Sequence, residues 1–368
     1  MPERRSTSAT ALRRPTRLLV VTNIYPTPDR PNMSPFVARR VAALRERGVE
    51  VVVAGPSSYR GNSMFRHLGI ARRALMARGR FDGVEAHPVY FAGVIGLVAA
   101  RLRRIPLVAY AHGGDVADYA LRNRFHAALA GWVVRGAAAI VANSQNTAGF
   151  VERLGATARV VSPGVDLTTF KPAAGGDGAS GDAGRTTERA RLGAPEGLLA
   201  LYVGTLSERK GADTFAAGVD LAAMVGWSGV MIGGGALAGS IAEEHPSVRR
   251  VSAVPAAAVA AWMRIADVVV VPSRREPLGL AAVEALACGT AVVAANVGGL
   301  REVVRDGENG LLIPAGDPAA VAAALTRLAD ASLRTRLSAA GPASVAGHDI
   351  RVAAAQMAEV WKEFGVWA

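Results

Sequence analysis

The sequence predicts an α/β protein made of two doubly wound halves, each a parallel sheet between helices, facing one another across a cleft. Three observations carry that reading. Short apolar runs alternate with amphipathic stretches from one end of the chain to the other. The alternation stops once, at a low-complexity stretch, and then restarts. The charge divides at the same place: residues 1–172 hold 25 Lys+Arg and 10 Asp+Glu, a net +15, whereas residues 173–368 hold 17 and 20, a net −3.

In the first half, residues 18–21, 49–54, 83–86, 107–111, 138–142 and 159–162 read as buried strands, with amphipathic helical patterns such as 36–47 and 71–78 between them. Residues 173–187, AAGGDGASGDAGRTT, offer no apolar face and are expected to pack no core. After them, 199–203, 229–232, 248–252, 268–271 and 291–294 resume the strand pattern. The expected division is a disordered leader at 1–16, a first domain at 17–172, a low-complexity insert at 173–190 and a second domain at 191–354. Residues 350–368 read as one last helix, of which 355–368 are expected to cross back onto the first domain. In open parallel sheets ligands bind at the carboxyl ends of the strands, so the cleft is the expected site.

Composition bounds the rest. With 368 residues, 51% hydrophobic and 20% charged, the chain has core enough for two globular domains. The apolar run at residues 91–100 is half of what a membrane span needs, roughly 20 residues. A single cysteine, Cys288, permits no intrachain disulfide and no cysteine–histidine zinc site. Residues 1–16 carry four arginines and no apolar stretch, unlike a secretory signal, and the expected compartment is a reducing cytoplasm. The basic first half implies an anionic partner. Its arginines are scattered with almost no aromatic interleaving, which argues against nucleic acid. The arginine-rich window 66–80, with Phe65, Leu68, Ile70 and Leu75, suits an anionic membrane surface, so peripheral contact with the inner membrane is expected.

The densest chemistry lies at 268–312, VVVVPSRREPLGLAAVEALACGTAVVAANVGGLREVVRDGENGLL. A valine strand ends in a loop bearing Glu276. Leu278-Gly279-Leu280 then opens a helix bearing Glu284. Free N–H groups at a helix N-terminus bind phosphate. A carboxylate only accepts hydrogen bonds, which suits pairs of sugar hydroxyls. Taken alone, two glutamates eight residues apart read better as solvated side chains, one on a loop and one on a helix face.

The block Glu276-x7-Glu284, enclosing Pro-Leu-Gly-Leu and followed by Ala285-Leu286-Ala287-Cys288-Gly289, Gly298-Gly299-Leu300-Arg301-Glu302 and Asp306-Gly307-Glu308-Asn309-Gly310-Leu311, resembles the retaining GT-B glycosyltransferases of family 4. The resemblance runs from about residue 17 to the end. It implies a GT-B fold, and transfer of a sugar from a nucleotide diphosphate sugar to an acceptor hydroxyl with retention of anomeric configuration. It further implies that Glu276 contacts the donor sugar, that Glu284 holds the ribose, and that the amides of Leu278, Gly279 and Leu280 lie near the sugar and phosphates. A UDP-sugar is the expected donor, with GDP-mannose the alternative. The acceptor is left open between a glycan, a lipid-linked precursor and a small metabolite.

A second motif, residues 203–211, follows the first strand of the second half. Lys210 is one of three lysines in a chain with 39 arginines. The resemblance makes Lys210 the diphosphate contact, beside Gly204. Many relatives carry arginine directly after that glycine. Here Thr205 stands in its place, and Arg209 is the candidate for the second cation. In the first half, His112-Gly113-Gly114-Asp115 ends a strand and resembles the family's histidine–glycine–aspartate loop beneath the donor sugar. Read alone, His112 is equally a histidine satisfying local backbone. His87, at the end of another strand, is a weaker candidate. Asn143-Ser144 and 163–166 are expected to shape the cleft and hinge.

Gly233-Gly234-Gly235 follows a strand and reads two ways. It is either the glycine turn near the nucleotide base, which makes Gly234 a binding candidate, or the phosphate turn of an NAD(P)-dependent oxidoreductase. The oxidoreductase reading needs an acid at the end of the next strand, and 248–252 ends without one. The pattern Gly176-x-Gly178-x-x-Gly181 has no strand before it and is discounted. No Asp-x-Asp motif is present, which speaks against metal-held diphosphate, so no metal and no cofactor beyond the donor itself are expected. A GT-B sugar-nucleotide epimerase remains the nearest alternative enzyme.

Overall fold

The computed structural model describes residues 16–366 apart from 32, 121 and 174–178. The leader expected at 1–16 therefore lies almost wholly outside the described residues. Two six-stranded parallel sheets form the core. The first holds β1 (Arg17–Thr22), β2 (Glu50–Ala54), β3 (Gly83–His87), β4 (Leu107–Ala111), β5 (Ala139–Ala142) and β6 (Arg159–Val160), in the order β2-β1-β3-β4-β5-β6. The second holds β7 (Leu198–Val203), β8 (Trp227–Ile232), β9 (Val248–Val251), β10 (Val268–Val271), β11 (Ala291–Ala295) and β12 (Gly310–Ile313), in the order β12-β11-β10-β7-β8-β9. Two such sheets facing across a cleft make the GT-B fold that the motifs imply.

The strands are apolar on both faces because helices cover both. Leu18, Leu19, Val20 and Val21 of β1 are all buried, as are all four valines of β10. Each sheet has its switch of winding beside its first strand, between β1 and β3 and between β7 and β10. A crevice opens at such a switch because the flanking loops leave on opposite faces. The crevices of the two sheets meet in the cleft.

The sequence reading misses β12, a four-residue strand behind a short helix and a turn. It also misjudges the insert. Residues 179–192 form a helix, Ala179–Leu192, packed against the helix Ala256–Ile265. Glycine, serine and threonine argue against a helix there, but tertiary bonding outweighs propensity. Arg185 donates to Ile265 O (3.0 Å) and to Asp267 Oδ1 (2.8 Å), and Arg189 donates to Asp267 Oδ2 (3.0 Å). Asp267 also accepts from Leu199 N of β7 at 2.7 Å. The carboxylate thus ties this helix to the second sheet.

The last helix, Ile350–Lys362, is shorter than its pattern suggests and lies on the first sheet. Trp361 is fully buried there beside Leu18 and Val20. The chain passes between the sheets twice, and the two passes are bonded: Val165 N donates to His348 O (2.8 Å), and Ile350 N donates to Val165 O (2.9 Å).

Candidate active site

A cavity of about 740 Å³ lies between the two sheets, lined from both domains. Its floor on the second domain begins where β10 ends. There Pro272-Ser273 leads into a loop that carries Glu276 into the cavity wall. The Glu276 carboxylate is mostly buried and doubly bonded: Lys210 Nζ donates to Oε2 at 2.6 Å, and Ser273 Oγ donates to the same oxygen at 3.0 Å. Lys210 sits in a single 3-10 turn, Glu208–Lys210, after β7. The two ends of β7 and β10 are neighbours in the sheet, so loops 66 residues apart in sequence meet at one ion pair.

The loop then turns at Gly279, with φ +98, into the helix Leu280–Ala287. Leu278, Gly279 and Leu280 line the cavity, and with them the first N–H groups of the helix, which have no partner within their own turn. Gly298 and Gly299 explain why the loop can sit so low. A Cβ on Gly298 would lie 2.1 Å from Glu276 O, and one on Gly299 would lie 2.2 Å from Pro277 O. The loop rests on bare backbone, and Gly299 N donates to Glu276 O at 3.0 Å.

Arg209 also lines the cavity. Gly204 and Gly234 end β7 and β8, whose loops are joined by Leu206 N donating to Gly234 O at 3.0 Å. Neither glycine is among the lining residues. Glu284 does not line the cavity either. It is buried in the helix, with Arg39 of the first domain 3.9 Å away. Burial pushes its carboxyl up to about 7, against the pull of Arg39.

The first domain supplies the roof. His112 follows β4 and lines the cavity beside Phe36, whose ring centre is 4.9 Å from the imidazole. Asp115 accepts from the backbone N–H of His112 and of Val89, each at 2.9 Å, fixing the loop. Burial raises the Asp115 carboxyl to about 6, against those hydrogen bonds. His87, the weaker candidate, stands next to His112, with Nδ1 2.9 Å from His112 Nε2.

Besides the Arg39–Glu284 pair, further contacts among the described residues join the domains over the cavity. Ser144 Oγ donates to Pro277 O at 2.6 Å. Glu302 accepts from Gln145 N and Asn146 N at 2.8 and 2.7 Å, capping the helix Gln145–Glu152 from across the cleft. Arg275 pairs with Asp118 at 2.5 Å. Sequence reasoning assigned Ser144 a cleft-shaping part but missed Glu302, Arg275 and Asp118 as partners. Only the Gly-Gly-Leu-Arg-Glu motif carried a signal, by containing Glu302. Among the described residues there is no group of three or more histidine, cysteine, aspartate or glutamate side chains able to hold a metal.

The arrangement offers cations and helix amides on one wall, a buried carboxylate beside them, and an imidazole opposite. That set suits a diphosphate joined to a polyol. Residues 197–331 match the family described as Glycosyl transferases group 1, and residues 20–169 match Glycosyltransferase Family 4. The chain is 37% identical to D-inositol 3-phosphate glycosyltransferase of Thermomonospora curvata over 296 residues, 72% of this chain and 67% of that protein. It is 35% identical to the protein of the same name from Xylanimonas cellulosilytica over 331 residues, 80% and 75% of the two chains. Among solved structures, sucrose-phosphate synthase from Thermosynechococcus elongatus superposes with a TM-score of 0.80 at 23% identity, covering 96% of this chain and 99% of that one. The Anabaena protein HepE, solved with UDP and glucose, gives a TM-score of 0.75 at 20% identity, covering 94% and 99%.

Proposed function

Because the chain belongs to the family 4 glycosyltransferases, a membership carried by its relatives and by both halves of its sequence, we propose that it moves a hexose from a UDP-sugar to an acceptor hydroxyl, with retention and without a metal. The observation that carries this reading is the Lys210–Glu276 pair, set where a helix N-terminus opens into the interdomain cavity. The diphosphate lies between Lys210, Arg209 and the amides at the start of the helix Leu280–Ala287. Fixed cations and dipoles there stabilise the charge that develops as the sugar leaves, the part a metal plays in other transferases. Glu276 accepts hydrogen bonds from the donor sugar and Glu284 from the ribose. The acceptor attacks from the face the phosphate departs, and the departing phosphate oxygen takes its proton.

The donor assignment is supported by the structural neighbour solved with UDP and glucose. The relatives' name makes D-inositol 3-phosphate the first acceptor to try. A screen of UDP-, GDP- and ADP-sugars, read by released nucleotide with and without EDTA, tests the proposal. UDP release that depends on acceptor and resists EDTA supports it, with the product's anomeric coupling reporting retention. Preference for another nucleotide, or loss of activity with EDTA, overturns the corresponding part.

The same chain works at an anionic membrane surface. The helix Ser63–Met76 buries Ile70 and Ala74 but leaves Phe65 67%, Leu68 64% and Met76 68% exposed. Arg66, Arg72 and Arg73 share that helix, and Leu102, 72% exposed, ends the helix packed beside it. Apolar side chains ringed by arginines fit the boundary between acyl chains and anionic headgroups. No helix among the described residues is long and apolar enough to cross a membrane.

A further inference from the structure

A line of hydrogen bonds runs from the interior of the first sheet to the cavity roof. Glu85 and His87 stand two residues apart on β3 and so share a face. Glu85 Oε1 is 2.7 Å from His87 Nε2, and His87 Nδ1 is 2.9 Å from His112 Nε2. At the inner end Arg40 grips both oxygens of Glu85, through Nε to Oε1 and through Nη2 to Oε2 at 3.1 Å. Glu85 and His87 are sealed from solvent. Tyr110 lies nearly parallel to both imidazoles, with ring centres 5.0 and 4.9 Å away. At the outer end, His112 Nδ1 is buried and has no hydrogen-bond partner.

The protons along this line have one order. Burial disfavours the Glu85 carboxylate, but Arg40 and the bond from His87 outweigh it and hold the carboxyl well below its usual range. An ionised carboxylate only accepts, so His87 Nε2 carries the hydrogen. Burial keeps His87 neutral, which leaves its Nδ1 bare. His112 Nε2 must then donate to it. Burial, together with His87 and Arg40, holds His112 neutral as well, so its second nitrogen is also bare. A buried bare nitrogen without a partner costs free energy that a ligand can recover.

We propose that Arg40, Glu85 and His87 are positioning residues that fix His112 with its buried Nδ1 as a bare hydrogen-bond acceptor, so that a substrate hydroxyl held by this imidazole must donate to Nδ1. The inference rests on the transferase reading for the word substrate, but the tautomer does not depend on it. A nitrogen that accepts discriminates in a way a donor cannot. Replacing the contacted hydroxyl by fluorine, which accepts but never donates, is as damaging as removing the oxygen. A donating imidazole would instead tolerate fluorine.

Two measurements test this. Nitrogen-15 spectra of histidine-labelled protein report each imidazole's tautomer without any substrate. His112 is expected with Nε2 protonated and Nδ1 bare at neutral pH, and His87→Phe, which keeps a flat ring but cuts the line, is expected to mix the two forms. A His112 protonated at Nδ1 in the native protein overturns the inference even if His87→Phe does not fold. The second measurement is turnover of deoxy and deoxyfluoro UDP-sugars and acceptors. One position is expected to lose about 10- to 100-fold in kcat/KM with either replacement, and the difference is expected to vanish in His112→Ala. A fluoro analogue that works where the deoxy one fails overturns the acceptor role. Failure of every nucleotide sugar to turn over would refute the transferase reading while the spectra still decide the proton order.

Discussion

Lys210 Nζ lies 2.6 Å from Glu276 Oε2, so the cation and the carboxylate on this wall of the cavity neutralise each other. The pair keeps the mostly buried Glu276 compensated. In the proposed reaction the diphosphate competes for the ammonium, and the sugar hydroxyls compete for the carboxylate. Lys210→Ala is therefore expected to reduce kcat by about 10²–10³-fold, as loss of one oxyanion donor does. Its folded state should survive, because the lysine is a quarter exposed. Steady-state kinetics beside a thermal melt check both halves, and near-native turnover refutes the assignment.

Glu284 gives the site a pH signature. Its carboxyl is pushed up to about 7 from an ordinary 4.5, so it holds a proton below that pH. In the proposed donor complex the ribose hydroxyls donate to the ionised form. Donor affinity is therefore expected to fall as pH drops through about 7, and binding near pH 6.5 to release a proton. Calorimetry of UDP-glucose in buffers of different ionisation heat measures that release, and Glu284→Gln should abolish it. The sign for folding is opposite: through this group the protein loses stability as pH rises from 4.5 to 7, because the native state retains the proton that the unfolded chain gives up.

Asp267 is the next test. Its buried carboxylate receives Arg185, Arg189 and Leu199 N. Asp267→Asn leaves these two guanidinium groups, and that of Arg334 3.9 Å away, without a counter-charge and is expected to cost about 2–3 kcal/mol. Denaturant titration reads this directly. Arg185→Ala and Arg189→Ala, each replacing a partly exposed arginine, should cost less than Asp267→Asn.

The contacts of Arg275 and Glu302 across the cleft are unequal. Arg275 is largely exposed, so its pair with Asp118 is worth about 0.2–1 kcal/mol and weakens with salt. Glu302 caps two backbone N–H groups. Glu302→Ala is expected to open the protein and raise donor KM more than Asp118→Ala does. Small-angle scattering alongside KM checks the ranking.

Docking on lipid predicts co-sedimentation with anionic vesicles and not with neutral ones, lost at high salt. Arg72→Glu together with Arg73→Glu should remove it, since each basic residue near the surface contributes about 1 kcal/mol. Equal binding to both vesicle types would sink the idea.

The strand pattern was legible because parallel strands buried on both faces read as unbroken apolar runs, as 107–111 and 268–271 do. The motifs placed Lys210, Glu276, Gly279 and His112, and the structure brings these four to one cavity. Local signals failed where long-range partners decide. Glu85 looks like a misplaced charge in an apolar strand until Arg40 and His87 stand beside it. The helix Ala179–Leu192 is written in residues that favour loops, and only Asp267, far along the chain, reveals it. Gly204 and Gly234 stand in recognisable motifs yet do not line the cavity, because motif position says nothing about which side of a loop faces it.

The paired crossings at Val165 and Ile350 act as the spine of a book. A single covalent link would let one lobe swivel in any direction. Two links held in register favour rotation about one line, so the lobes part like covers and the edge farthest from the spine travels most. Cutting the chain once at the first crossing would sever one link and still release neither lobe. The fragment after the cut would keep Trp361 anchored in the other lobe's core, and the two pieces would migrate together until denatured.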